Sequence, residues 1–109
     1  MTTVRIRKTA GNVSGIEISG HSGYAAEGED IVCAAVTSAV RYAEVLLNDI
    51  LGLDIPFRID SGSTCISFSV PSPPPTGESD SLLQSVFMGF VRYMEQLSAE
   101  YPDHIKVTE

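Results

Sequence analysis

The sequence predicts a single α+β domain in the order ββαββαβ, an antiparallel-rich mixed sheet with two helices packed on one face. Three observations carry this expectation. Two pairs of segments alternate apolar and polar residues around turn-forming stretches, two longer segments repeat apolar residues at helical spacing, and a short alternating segment closes the chain. At 109 residues the chain is long enough for one domain over 1–109 and too short for two.

Val4 and Ile6 alternate with Arg5 and Arg7, Ala10-Gly11-Asn12 supplies turn chemistry, and Ile16 and Ile18 alternate with Glu17 and Ser19. This is the first hairpin. From Gly20 to Glu29 the alternation breaks at Gly20, Gly23 and Gly28, which reads as a flexible loop. Asp30 is a good N-cap for a helix whose stripe is Val32, Ala35, Val36, Ala39, Ala43, Leu46 and Ile50, stopped by Gly52. Ile55, Phe57 and Ile59, then Ile66, Phe68 and Val70, form a second hairpin around Asp60-Ser61-Gly62-Ser63. The prolines from Pro71 to Pro75 exclude a central strand there. A second helix begins near Ser79 or Asp80, with the stripe Leu83, Val86, Phe87, Phe90, Val91, Met94 and Leu97, and ends before Pro102. Ile105 and Val107 give the last strand.

Composition narrows the function. With 43% hydrophobic and 19% charged residues the chain can build a core. Seven Lys and Arg against fourteen Asp and Glu leave a net charge of −7, which argues against direct nucleic-acid binding and suits a basic peptide partner. No secretory leader is read at Met1–Ala10, and no apolar run is expected to reach the roughly 20 residues that cross a bilayer. The two cysteines imply no disulfide framework and no zinc site, so a cytoplasmic protein with free thiols, no metal and no cofactor is expected.

The chemistry concentrates in Gly20-His21-Ser22-Gly23-Tyr24-Ala25, Gly28 and Asp30-Ile31-Val32-Cys33-Ala34-Ala35-Val36. With Asp30 as N-cap, Cys33 falls in the first helical turn, where free N–H groups and the helix dipole favour a thiolate. His21 lies twelve positions earlier on a glycine-bearing loop able to fold back over the helix start. The pair reads as nucleophile and base, or as a small buried apolar cysteine beside a solvated loop histidine. Asp30 either caps the helix or orients the imidazole. Cys65 shares the parity of Ser67 and Ser69 and reads as a bystander, His104 as a surface residue, and Ser38 as off the Cys33 face. Tyr24 either lines a substrate cleft or packs the loop.

The run Gly-His-x-Gly-Tyr-Ala, with Gly28 and then Asp-Ile-Val-Cys-Ala-Ala-Val, resembles the signature of the ribosomal-processing cysteine protease family, often called Prp. The likeness covers essentially the whole chain, and Ser22 departs from it where alanine is usual. The resemblance implies a catalytic dyad of Cys33 and His21 and a homodimer. It also implies a substrate loop through Gly20, Ser22, Gly23, Tyr24 and Gly28. The substrate it implies is the N-terminal extension of large-subunit ribosomal protein twenty-seven, which ends in an apolar and aromatic segment ahead of a basic stretch. Two other functions fit the residues: a non-catalytic module that binds a basic peptide during ribosome assembly, and a thiol redox sensor pairing Cys33 with Cys65.

Overall fold

The computed structural model describes residues 1–20, 29–60 and 65–109, and it has the expected element order. Strands β1 (Thr2–Thr9), β2 (Asn12–Ser19), β3 (Phe57–Asp60), β4 (Cys65–Ser69) and β5 (Ile105–Thr108) form one sheet in the spatial order β3-β4-β2-β1-β5. Three of its pairings are antiparallel, and β5 alone runs parallel, beside β1. Helices α1 (Glu29–Glu44) and α2 (Glu78–Glu100) supply the other layer.

Alternation decides which sheet face is covered. Val4, Ile6, Ile16, Ile18, Ile66, Phe68 and Ile105 are buried with Val32, Val36, Val40 and Ala43 of α1 and Leu83, Phe87, Phe90, Met94 and Leu97 of α2. Phe68 is the centre of this core, stacked on Phe57 at 4.7 Å and edge-on to Phe87 and Phe90 at 5.6 and 5.2 Å. The first hairpin turns through Ala10 and Gly11, both at positive φ (51° and 83°), the mirror-image turn that matches strand twist.

Four details depart from the sequence reading. The α1 ladder opens at Glu29, two residues ahead of the start that an Asp30 cap implies, so Asp30 is its second residue and Cys33 its fifth instead of its third. Beyond Glu44 the helix continues as a wider π-helical stretch, Val45–Ile50. Its extra residue per turn rotates the apolar stripe, so Leu47 is buried while Ile50, expected in the core, is 70% exposed. Ile59 is 77% exposed because β3 is the sheet edge, beyond the reach of the helices. Ile55 is buried ahead of β3 instead of within it, held by both ends of the Asn48 amide: its N–H donates to Oδ1 at 2.7 Å and its carbonyl accepts from Nδ2 at 3.0 Å.

The membrane expectation also needs correction. Ile31–Ile50 is long and apolar enough, by length and composition, to cross a bilayer. In this fold one side of that segment covers the sheet through Val32, Val36, Val40, Ala43 and Leu47. Ile31, Tyr42, Val45 and Ile50 of the same segment stay exposed.

Candidate active site

Cys33 is half-buried and projects from α1 toward the start of β1. Its Sγ lies 4.0 Å from Oγ1 of Thr2, whose side chain is fully buried. The first residues of β1 are held there by two neighbours. The Thr2 N–H donates to the His104 carbonyl at 2.8 Å, and Thr2 pairs with Ile105 of β5. On the other side Gly20, just past β2, runs against the Met1 carbonyl at φ 86°, where any Cβ would collide with that oxygen. The site is therefore a corner where the head of β1, the end of β2, the entry to β5 and the start of α1 converge.

His21, Ser22, Gly23, Tyr24 and Gly28 lie outside the described residues, as does the Asp30 side chain. The earlier helix start changes the electrostatics expected at Cys33. As the fifth residue it stands just past the first turn, and its own N–H is taken by the Glu29 carbonyl in the i to i−4 ladder. The N–H groups free to receive an anion are those preceding it.

Cys65 occupies the opposite, open face of the sheet, paired with Asp60 on β3. Burial pushes its thiol above the usual range, and the charges of Glu17 and Asp60 push it further. Cys33 and Cys65 approach the sheet from opposite faces, two strand spacings or roughly 10 Å apart across β1, β2 and β4. A disulfide between them is out of reach, which removes the redox pairing. His104, expected at the surface, is partly exposed in the turn before β5. Among the described residues no cluster of His, Cys, Asp and Glu is arranged to hold a metal.

A second concavity, about 880 Å³, runs between α1 and α2 on the outside of the helical layer. Ala39, Tyr42, Leu46, Leu82, Val86 and Tyr93 line it, with no charged side chain in the wall. Ser38 and Tyr42, on its α1 side, stand roughly 140–180° around the helix from Cys33. The groove and the thiol therefore belong to different sides of the molecule. Periodicity marked the α1 stripe but gave no sign that so much of it stays uncovered. Thr2 was also passed over, although it shares the inward parity of Val4 and Ile6 and is a polar residue where the pattern asks for an apolar one.

The profile of the family described as Cysteine protease Prp matches residues 1–106. No protein of curated function matches the chain. Among solved structures, SMU.848 from Streptococcus mutans superposes with a TM-score of 0.84 at 22% identity, covering 100% of this chain and 96% of its own. The essential ribosomal processing protease Prp from S. aureus, in complex with a substrate peptide, gives 0.77 at 19% identity over 100% of both chains. The same protease with a covalently linked product peptide gives 0.78 at 18% identity, again over 100% of both. These likenesses show a shared fold, and the profile, which spans nearly the whole sequence, shows the family: the chain belongs to the Prp cysteine proteases.

Proposed function

We propose that this protease removes the N-terminal extension of large-subunit ribosomal protein twenty-seven in the cytoplasm, with Cys33 as nucleophile and His21 as base. The observation that carries the reading is the corner itself. Cys33 presents its sulfur beside the head of β1, and Gly20, packed on the Met1 carbonyl at that same corner, is the residue that immediately precedes His21 in the chain. The peptide-bound structures of the S. aureus relative support a peptide as substrate.

In the reaction His21 takes the thiol proton and the thiolate adds to the scissile carbonyl carbon. The resulting oxyanion is received by backbone N–H groups of the first helical turn ahead of Cys33. Collapse breaks the C–N bond as the imidazolium protonates the departing amine, leaving a thioester on Cys33. Water, deprotonated by His21, then releases the extension as a carboxylic acid and restores the thiol. Asp30, three residues before Cys33 on the same flank of α1, orients the imidazole in this scheme. Ser22, Gly23, Tyr24 and Gly28 contact the peptide. The net charge of −7 speeds encounter with the basic segment that follows the cut.

The outer groove is assigned to a second copy of the chain. Its uncharged, apolar wall offers nothing to a basic peptide, and its exposed rim residues Tyr42 and Leu82 suit a two-fold self-complementary contact. Light scattering should find a dimer that Tyr42→Glu converts to monomer; a wild-type monomer would refute the assignment. The substrate is tested by incubating the enzyme with a peptide spanning the extension and the first mature residues, then locating the cut by mass spectrometry. A single cut at the junction is expected, and an intact peptide would refute the substrate.

A further inference from the structure

We infer that Thr2 is a positioning residue for the nucleophile: its buried hydroxyl donates to the Cys33 thiolate and holds the sulfur at the corner. The inference rests on the proposed role of Cys33 but is tested apart from it.

Thr2 is the one polar residue among the described residues that is fully withdrawn from solvent. Water therefore does not compete for its hydroxyl, and a buried hydroxyl without a partner carries a desolvation cost. Among the described residues its partner is Cys33 Sγ at 4.0 Å. At that separation from a neutral thiol the contact is long, and either atom can be the donor. Ionisation removes the ambiguity. A thiolate has no proton to give, so the hydroxyl must donate, and a charged acceptor draws a shorter, stronger bond than a neutral one.

The backbone makes that donor rigid. The Thr2 N–H is bonded to the His104 carbonyl, its neighbours pair with β5 on one side and β2 on the other, and Gly20 closes against Met1. A hydroxyl fixed by three strands need not be ordered when the thiolate forms, which is the condition under which a dipole stabilises charge most effectively. Thr2 also replaces part of what the helix start does not supply, because Cys33 sits at the fifth helical position with its own N–H in the ladder.

The other titratable groups of the corner among the described residues are His104 in the turn into β5 and the Met1 amino group ahead of β1; Asp30 and the proposed base His21 are near it in the chain. All persist in a Thr2 variant, so a comparison isolates the hydroxyl. A hydrogen bond to an ionised acceptor corresponds to a shift of about one pH unit. The gain in thiolate is partly offset, since a more stabilised thiolate is a weaker nucleophile by about threefold per unit.

The experiment is iodoacetamide alkylation of the full chain from pH 5 to 10, read at Cys33 by peptide mass spectrometry, for wild type, Thr2→Val, Thr2→Ala and Thr2→Ser. Thr2→Val and Thr2→Ala should move the midpoint up by about one unit, and Thr2→Ser should restore it. The rates should also cross. The Val variant should be about threefold slower than wild type well below both midpoints and about threefold faster above them, a pattern that altered packing alone does not produce. An unmoved midpoint in both hydroxyl-free variants, or a Thr2→Ser profile matching Thr2→Val, overturns the inference. Cleavage by Cys33→Ala is measured in parallel. If that variant still cleaves, the nucleophile assignment fails while the alkylation result still decides whether Thr2 tunes the sulfur.

Discussion

The two cysteines stand on opposite faces of one sheet and differ in almost every respect that governs thiol chemistry. Cys33 projects from a helix into a corner built by three strands, beside a buried hydroxyl. Cys65 lies on the open face, where burial first, and then the charges of Glu17 and Asp60, raise the pH at which it ionises. The same side chain is thus placed once where a negative charge meets donors and once where it meets carboxylates. Position in the fold, and not residue type, separates the proposed nucleophile from the second thiol.

The largest effect that tests this contrast is Cys33→Ala. Cleavage of an extension-bearing peptide should fall to the uncatalysed rate with the fold intact, since alanine packs easily on a helix flank. Turnover near the wild-type rate would erase the distinction between the two thiols. Next, His21→Ala should lower kcat/KM by ~10²–10⁴-fold, the range for loss of a general base, with little change in Tm. A Tm loss in proportion to the rate would make His21 structural.

Gly20 connects the two halves of the corner and tests it through the backbone. An alanine there must adopt φ near 86° and drive its Cβ into the Met1 carbonyl. Gly20→Ala should destabilise the fold by about 2 kcal/mol, measured by urea denaturation, and lower cleavage as the head of β1 moves from Cys33. A variant as stable and as active as wild type would show that this close approach does not shape the site.

How far the sequence reveals this corner depends on the kind of signal. Alternation in Val4–Ile6, Ile16–Ile18 and Ile66–Phe68 settles the covered face, and the stripe from Leu83 to Leu97 settles α2, because periodicity reports burial directly. Periodicity does not report where a helix changes pitch, so it puts Ile50 inside, nor which strand is the edge, so it does the same for Ile59. Polar clamps are equally silent. The Asn48 amide on Ile55 and the Gln84 amide on Val13 (N–H to Oε1 at 3.0 Å, Nε2 to the carbonyl at 2.8 Å) join residues that no local pattern connects. At the site, glycine and histidine spacing marked the loop and helix start, whereas Thr2, 31 positions from Cys33, meets it only through the sheet.

The smallest expected effect is at Cys65. Cys65→Ser should leave cleavage and Tm essentially unchanged, because the side chain faces away from the helical layer and has no role in the corner. The environment of this thiol can still be read in the Cys33→Ala background, where alkylation reports Cys65 alone. Burial is the first cause of its raised ionisation and Glu17 the second, so neutralising the carboxylate should reverse only part of the shift. The sign follows from the charge: a nearby anion opposes thiolate formation, and its removal lets the thiolate form at lower pH. Glu17→Gln should therefore move the Cys65 alkylation midpoint down while leaving it above that of an unburied cysteine. An unmoved midpoint would mean that solvent screens Glu17 completely on the open face. A loss of cleavage in Cys65→Ser comparable to that in Cys33→Ala would place catalytic chemistry on both faces and end the comparison.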